Sequence, residues 1–254
     1  MKLMRIKEME EYILTNGTVS LDELCQVFNV SKNTVRRDIN KLTEKGVIKK
    51  VYGGVTAIEK TALIPFENRT IQNKDAKMKI AHYASRFIED HDLIFIDSGT
   101  TTQSILETLD PNKNVTVLTN SLDIINAAAA MQNINLIIIG SNYKRKTQSF
   151  VGMDDPGTLD KYNINKAFMS ATGATLTHGL TNSDLLEYEI KKKISEKAKQ
   201  VYLLADHSKF GKSTLLTYAP FHRLHAIVTS QALDEEYHEY CKERNIEIHL
   251  AKHV

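Results

Sequence analysis

The sequence predicts an α/β fold in two parts: a small helical head closed by a basic hairpin, and a larger body built on a parallel sheet. Three observations carry this. Apolar residues recur at helical spacing from Ile6 to Leu42, while beyond about residue 74 short continuous apolar runs alternate with amphipathic stretches. Charge is also divided: residues 1–60 hold 11 Lys/Arg against 8 Asp/Glu, and the rest is near balance. With 42% hydrophobic and 25% charged residues, the 254-residue chain is neither disordered nor fibrous. Its longest apolar runs fall far short of the roughly 20 residues that span a bilayer, and Met1 to Glu8 lacks the apolar core of a secretion signal. Cys25 and Cys241 give neither a disulfide framework nor a zinc spacing. The expectation is a cytoplasmic globular protein with no membrane partner, metal or cofactor.

In the head, Ile6, Met9, Ile13 and Leu14 define a first helix that ends at Asn16-Gly17. Ser20 stands three residues before Glu23, a capping box that opens a second helix with Leu21, Leu24, Cys25 and Phe28 inward. Asn29-Val30 breaks it. Ser31 caps a third helix, with Val35, Ile39 and Leu42 inward and Gly46 as its end. Three short helices with a tight turn between the last two make a helix-turn-helix. Outside, the third helix leaves Lys32, Asn33, Thr34, Arg36, Arg37, Asn40 and Lys41, opposed only by Asp38 and Glu44. Such side chains bond phosphates and base edges. Val47 to Val55 reads as two strands around Gly53-Gly54, a basic wing carrying Lys49, Lys50, Tyr52 and Gly53. A lone basic run is usually a solvated helix face. Here the helices, the box, the basic face and the hairpin arrive in order within residues 1–57, which points to DNA, with Ser31 added to the contact set as the cap.

Residues 58–73 show no sustained period, and Pro65 blocks a helix through their middle, so they read as a linker. Residues 74–254 form the body. A helix at 74–90 (Met78, Ile80, Ala81, Ala84, Phe87, Ile88 inward) leads to a strand at 93–96, a helix at 101–109 and a strand at 115–118. An alanine-rich helix at 121–131 precedes a strand at 136–139, with Ala127 to Ala130 packing closely on the sheet. Further strands are expected at 167–169, 201–204, 226–228 and 246–248, with helices at 184–198 and 234–243. The alternation means a parallel sheet covered on both faces.

Ligands of such sheets sit at the carboxyl ends of the strands. There the chain places Asp97-Ser98-Gly99-Thr100-Thr101-Thr102, then Asn120-Ser121, then Ser170-Ala171-Thr172-Gly173, then Asp206 with Lys209 and Gly211. Each loop alone reads as a helix cap. Four of them on one sheet edge, one with a lysine, favour a small anionic ligand held by amides, hydroxyls and a helix N-terminus.

Other chemistry fails on spacing. Gly211-Lys212-Ser213-Thr214 ends like a P-loop, but Asp206 stands where that motif needs Gly. No Gly-x-Gly-x-x-Gly is present, and His222 and His225 lack a third ligand nearby.

Val30 to Ile39, followed by Leu42, Gly46 and Tyr52-Gly53-Gly54, resembles the DNA-binding signature of the DeoR family of bacterial repressors, with Tyr52 where a His is common. The resemblance implies a winged helix-turn-helix followed by a sensor domain similar to sugar-phosphate isomerases of the ribose-5-phosphate isomerase type. It implies that Asp97 to Thr101 receives a phosphate and that Asp206 to Gly211 lines the same pocket, with Lys209 as an anion contact. Glu187 and Lys191 are left without a role. The function implied is repression of a carbohydrate operon, myo-inositol catabolism in particular, by a homodimer or homotetramer that a phosphorylated sugar releases from operator DNA. The alternative is an isomerase with an appended nucleic-acid module. Asp97, Asp206 and Glu187 could serve as its base, but Thr172 to Leu176 has no carboxylate where the isomerases it resembles carry an acidic pair. That favours the sensor.

Overall fold

A computed structural model of the chain describes residues 2–44, 48–57, 66–153 and 156–251. It divides into two compact units, Met1–Ala62 and Leu63–Val254.

The first unit comprises α1 (Lys2–Asn16), β1 (Thr18–Ser20), α2 (Leu21–Phe28), α3 (Lys32–Glu44), β2 (Ile48–Val51) and β3 (Gly54–Ala57). Ile6, Met9, Ile13, Leu24, Val35, Ile39, Leu42, Ile48 and Val55 form its core. The Ser20 hydroxyl accepts the Glu23 N–H at 3.1 Å, while the Glu23 carboxylate accepts the Tyr12 hydroxyl at 3.0 Å. Asp38, expected outside, is buried and ion-paired with Arg5 at 2.8 Å. Positions 35, 38, 39 and 42 share one helix face, so the spacing that buries Val35 and Leu42 takes Asp38 in with them. The hairpin turns at Tyr52-Gly53, not Gly53-Gly54, because Val51 pairs with Gly54. A third strand absent from the sequence expectation, β1, pairs with β3. Gly46, Val47 and the side chain of Leu14 lie outside what is described.

The second unit begins with α4 (Phe66–Ile71), inside the stretch expected to be a linker. Phe66 is buried and its N–H donates to the Lys146 carbonyl at 3.1 Å, which anchors this short helix. Residues 58–65, Pro65 among them, lie outside the described residues. Then follow α5 (Lys74–Ala84), β4 (Leu93–Ile96), β5 (Val115–Thr119), α6 (Leu122–Ala129), β6 (Ile134–Ile138), β7 (Asn142–Lys144), β8 (Ser149–Val151) and β9 (Lys166–Met169). The remainder is β10 (Gly173–Thr175), β11 (Gly179–Asn182), α7 (Leu185–Lys197), β12 (Gln200–Leu204), β13 (Leu216–Ala219), β14 (Ala226–Thr229), α8 (Glu235–Glu243) and β15 (Glu247–Leu250).

Seven strands form one parallel sheet in the order β15-β14-β12-β9-β4-β5-β6. Alternate residues feed two cores: Phe95, Leu118, Met169 and Leu203 on one face, Ile94, Val117, Phe168 and Leu204 on the other. The hairpin β7-β8 and the antiparallel sheet β10-β11-β13 go unforeseen, being strands of three or four residues without a long apolar run. α5 stops at Ala84 in a 3-10 turn, short of residue 90. The helix expected at 101–109 is a run of turns with one 3-10 turn at Ile105–Thr108. Thr102 Oγ1 donates to the Asp97 and Gly99 carbonyls at 2.6 and 2.7 Å, a local bond that competes with helix. Of Ala127 to Ala130 only Ala128 is buried, because β6 is an edge strand with Ile138 half exposed. Met78 is half-buried rather than core. Among the described residues no helix is long and apolar enough to cross a membrane, and no group of three His, Cys, Asp or Glu is placed to hold a metal.

Candidate functional site

Two surfaces stand out, one in each unit. On the first, α3 leaves Lys32, Asn33, Arg36, Arg37, Asn40 and Lys41 exposed, and the wing does the same with Lys49, Lys50 and Gly53. Tyr52 at the wing tip is fully exposed. Arg36, Asn40 and Lys50 line one groove between helix and wing. Three of the expected contacts are engaged within the protein: Ser31 Oγ accepts the Thr34 N–H, the two hydroxyls share a bond of 3.0 Å, and Lys32 pairs with Asp22 at 2.6 Å. Both Lys32 and Asp22 are exposed, so that pair is weak and is free to exchange for a phosphate.

On the second unit, strand order reverses between β4 and β9: β5 and β6 lie outward of one, β12, β14 and β15 outward of the other. Such a reversal opens a crevice beyond the strand ends. A cleft lies here, lined by Ser98, Gly99, Thr100, Thr101, Thr172 and Lys209 together with Arg69, Ser170, Ala171, Asn182, Glu187 and Lys191.

Asp97 lies beneath the loop. Its Oδ2 accepts the Ser170 N–H at 3.0 Å, the Ser170 hydroxyl and the Lys191 ammonium, so the carboxylate at the end of β4 ties down the end of β9. Lys191 also donates to the Ser170 carbonyl at 3.0 Å and lies over the Tyr218 ring. Burial, with Asp97 nearby, pushes the Tyr218 phenol well above its ordinary value. Asp184 caps α7 by accepting the Leu186 and Glu187 N–H groups, which turns Glu187 and Lys191, one helical turn apart, inward. Glu187 Oε1 accepts the Ser149 and Ser98 hydroxyls at 2.9 and 3.2 Å, and its Oε2 accepts Asn182 Nδ2 at 3.3 Å.

At the other end the cleft is cationic. Lys209 makes no ion pair among the described residues. Burial and the charges of Arg69 and Lys212 pull its ammonium below its ordinary value, against the opposing pull of Asp206. Behind Thr100, buried Lys77 donates to Thr100 Oγ1 at 2.9 Å and to the Arg69 carbonyl. Burial first, then Lys209 and Arg69, bring Lys77 down to about 8, partly offset by Asp206.

The remaining expected residues serve the frame instead. Thr102 is fully buried and pins its own loop. Asn120 donates to the Phe150 carbonyl and Ser121 caps α6, so neither lines the cleft. Gly173 belongs to β10, where a Cβ would fall 2.3 Å from the Lys212 carbonyl oxygen. Asp206 accepts from Ser208 and Asn73. Burial works to raise its carboxyl, yet the Ser208 bonds, Lys209 and Asn73 outweigh it and leave it below the ordinary value. Its part is to hold the Lys209 turn. The helix N-terminus expected after the Ser98 loop is absent, so no helix dipole is aimed at the cleft from that loop.

Sequence reading misses Arg69, Lys77 and Asn182. Lys77 had a signal: it falls on the stripe of Ile80, Ala81 and Ala84.

Residues 5–61 match the model of the DeoR-like helix-turn-helix domain and residues 72–231 that of the DeoR C terminal sensor domain. The HTH-type transcriptional regulator IolR of Bacillus subtilis (strain 168) is 86% identical over 99% of this chain and 100% of its own length. The L-fucose operon activator of Haemophilus influenzae is 30% identical, covering 93% of this chain and 95% of its own. Among solved structures, ribose 5-phosphate isomerase A from Methanocaldococcus jannaschii aligns at a TM-score of 0.41 with 21% identity over 55% of each chain.

Proposed function

The chain belongs to the DeoR family, and from that premise we propose that it represses a carbohydrate operon, that of myo-inositol catabolism, until a phosphorylated sugar enters the cleft of its second unit. It is a DNA-binding regulator of transcription, not an enzyme. The exposed face of α3 supplies the base-edge and phosphate donors, and the wing adds Lys49, Lys50 and Tyr52. Working in the cytoplasm, a homodimer or homotetramer joined through the second unit presents two heads to two half-sites, which multiplies the affinity of a small module.

One observation carries the effector reading. Lys209 stands unpaired beside a loop of hydroxyls, Ser98 to Thr101, while the carboxylates there, Asp97 and Glu187, already have partners. An incoming phosphate meets cation and hydroxyl, and the two carboxylates beside the hydroxyl loop are already engaged. The ligand lowers operator affinity by preferring the conformation that binds DNA poorly, and the effect is reciprocal.

The test is a gel shift on the protein's own upstream DNA, titrated with a panel of sugar phosphates and the bare sugars. Lys209→Ala removes a charge-assisted bond of about 1.5–3 kcal/mol and raises the effector concentration needed by roughly tenfold to a hundredfold. Thr101→Glu places a charge where the phosphate belongs and abolishes the response. Both variants keep operator binding. Release of both at the wild-type effector concentration, or equal potency of a bare sugar, refutes the assignment.

A further inference from the structure

Arg69 occupies a place no loop motif marks. It lies on α4, its side chain lines the cleft with Thr100, Thr101 and Lys209, and its buried Nε has no hydrogen-bond partner among the described residues. The guanidinium lies over the Phe66 ring, 5.5 Å from its centre, which holds the planar group without using its donors. From below, Lys77 joins the Arg69 carbonyl to the Thr100 hydroxyl, so α4 and the hydroxyl loop are tied through one buried ammonium. Three cations therefore converge on one loop. Among the described residues none is ion-paired, and Asp206, the nearest counter-charge, spends one oxygen on Ser208 and Asn73.

An unneutralised cluster of this kind is costly when empty, and a doubly charged anion relieves it. A guanidinium with a free edge matches a phosphate oxygen pair, which an ammonium does not. Building on the effector site proposed above, we propose that Arg69 is a direct contact of the effector's phosphate monoester dianion, that Lys77 is its positioning residue, and that filling the site clamps α4 to the sheet edge. α4 follows β3 of the DNA-binding unit after residues 58–65 alone, so the clamp acts on the segment that joins sensor to head.

The experiment uses the full chain and inorganic phosphate as probe, followed by isothermal titration and by hydrogen exchange of residues 66–71. Wild type binds phosphate, and 66–71 gain protection on binding. Arg69→Ala weakens phosphate at least tenfold with its melting temperature held, and the added protection disappears. Arg69→Lys, which keeps charge but loses the planar edge, falls between and serves as the probe should the alanine variant fail to fold. Lys209→Ala reports on the cleft independently. If it loses phosphate while Arg69→Ala and Arg69→Lys bind as wild type, the Arg69 proposal is overturned and the cleft stands. If all three bind as wild type, or wild type takes up no phosphate at millimolar concentration, the cleft itself is wrong. Phosphate binding without added protection at 66–71 overturns the clamp.

Discussion

Gly99 and Ser170 meet so closely at the strand-order reversal that a Cβ on Gly99 would fall 1.9 Å from Ser170 Oγ and 2.4 Å from its Cβ. Ser170 cannot step aside, because its N–H and hydroxyl both bind Asp97, which Lys191 holds in turn. Gly99→Ala must displace backbone, at a cost of about 1–3 kcal/mol as for other overpacked sites. The expected variant binds operator normally, melts lower in its second unit and no longer answers to effector; calorimetry and the gel-shift titration check it.

In the head, Arg36 and Arg37 are exposed and project from neighbouring positions of α3. Replacing both with Ala removes specific operator binding while leaving effector uptake intact, and the slope of affinity against salt falls by about one for each DNA phosphate that is no longer neutralised. Tyr52→Ala, at a fully exposed tip, lowers operator affinity without lowering the melting temperature. Footprinting across a salt series gives both readings.

Asp38 is a different matter, since its side chain is buried against Arg5. Asp38→Ala removes a charge-assisted bond to a guanidinium that still reaches solvent, a loss of about 1.5–3 kcal/mol. The head should unfold first in a thermal scan, with the transition of the second unit unchanged. A single unchanged melt would show that the pair contributes nothing.

Lys77 gives a pH dependence with two signs. Its value near 8 when folded lies below the ordinary 10.5, so between those pH values the unfolded chain binds more protons and stability rises with pH. A phosphate dianion favours the charged ammonium, so effector affinity falls as pH rises through about 8. Sugar phosphates, with a second pKa of about 6, are fully dianionic there and add no slope of their own. Titrations between pH 7 and 9 should show this fall, flattened in Lys77→Met.

The helices of the head are legible because caps and 3.6-residue periodicity are local signals, and Ser20, Val35 and Leu42 stand where they place them. Asp38 is misread by residue type: a carboxylate counts as outward, and its partner Arg5 lies 33 residues earlier. The loop Ser98 to Thr101 and Lys209 follow from the carboxyl ends of apolar strands, which the sequence marks, while the reversal of strand order beside them depends on pairing between distant strands and is not marked. The expected helix after that loop fails because Thr102 bonds its own backbone. Arg69 leaves no trace in the sequence, since its stretch has no period and its helix is anchored by a backbone bond from Phe66 to Lys146, about 80 residues on.

The centre of the sheet has a consequence for how the molecule is made. β4 pairs on one side with β5, close in sequence, but on the other with β9, and Leu93 and Asn165 at that junction are 72 residues apart. During synthesis the head, complete by Ala57, leaves the ribosome and folds while β4 still shows an open edge. Pairing over such separations is slow and exposes strand edges to aggregation. A newly made chain therefore passes through an interval in which its head is folded while the unit that receives the effector, and that joins two heads, is still incomplete.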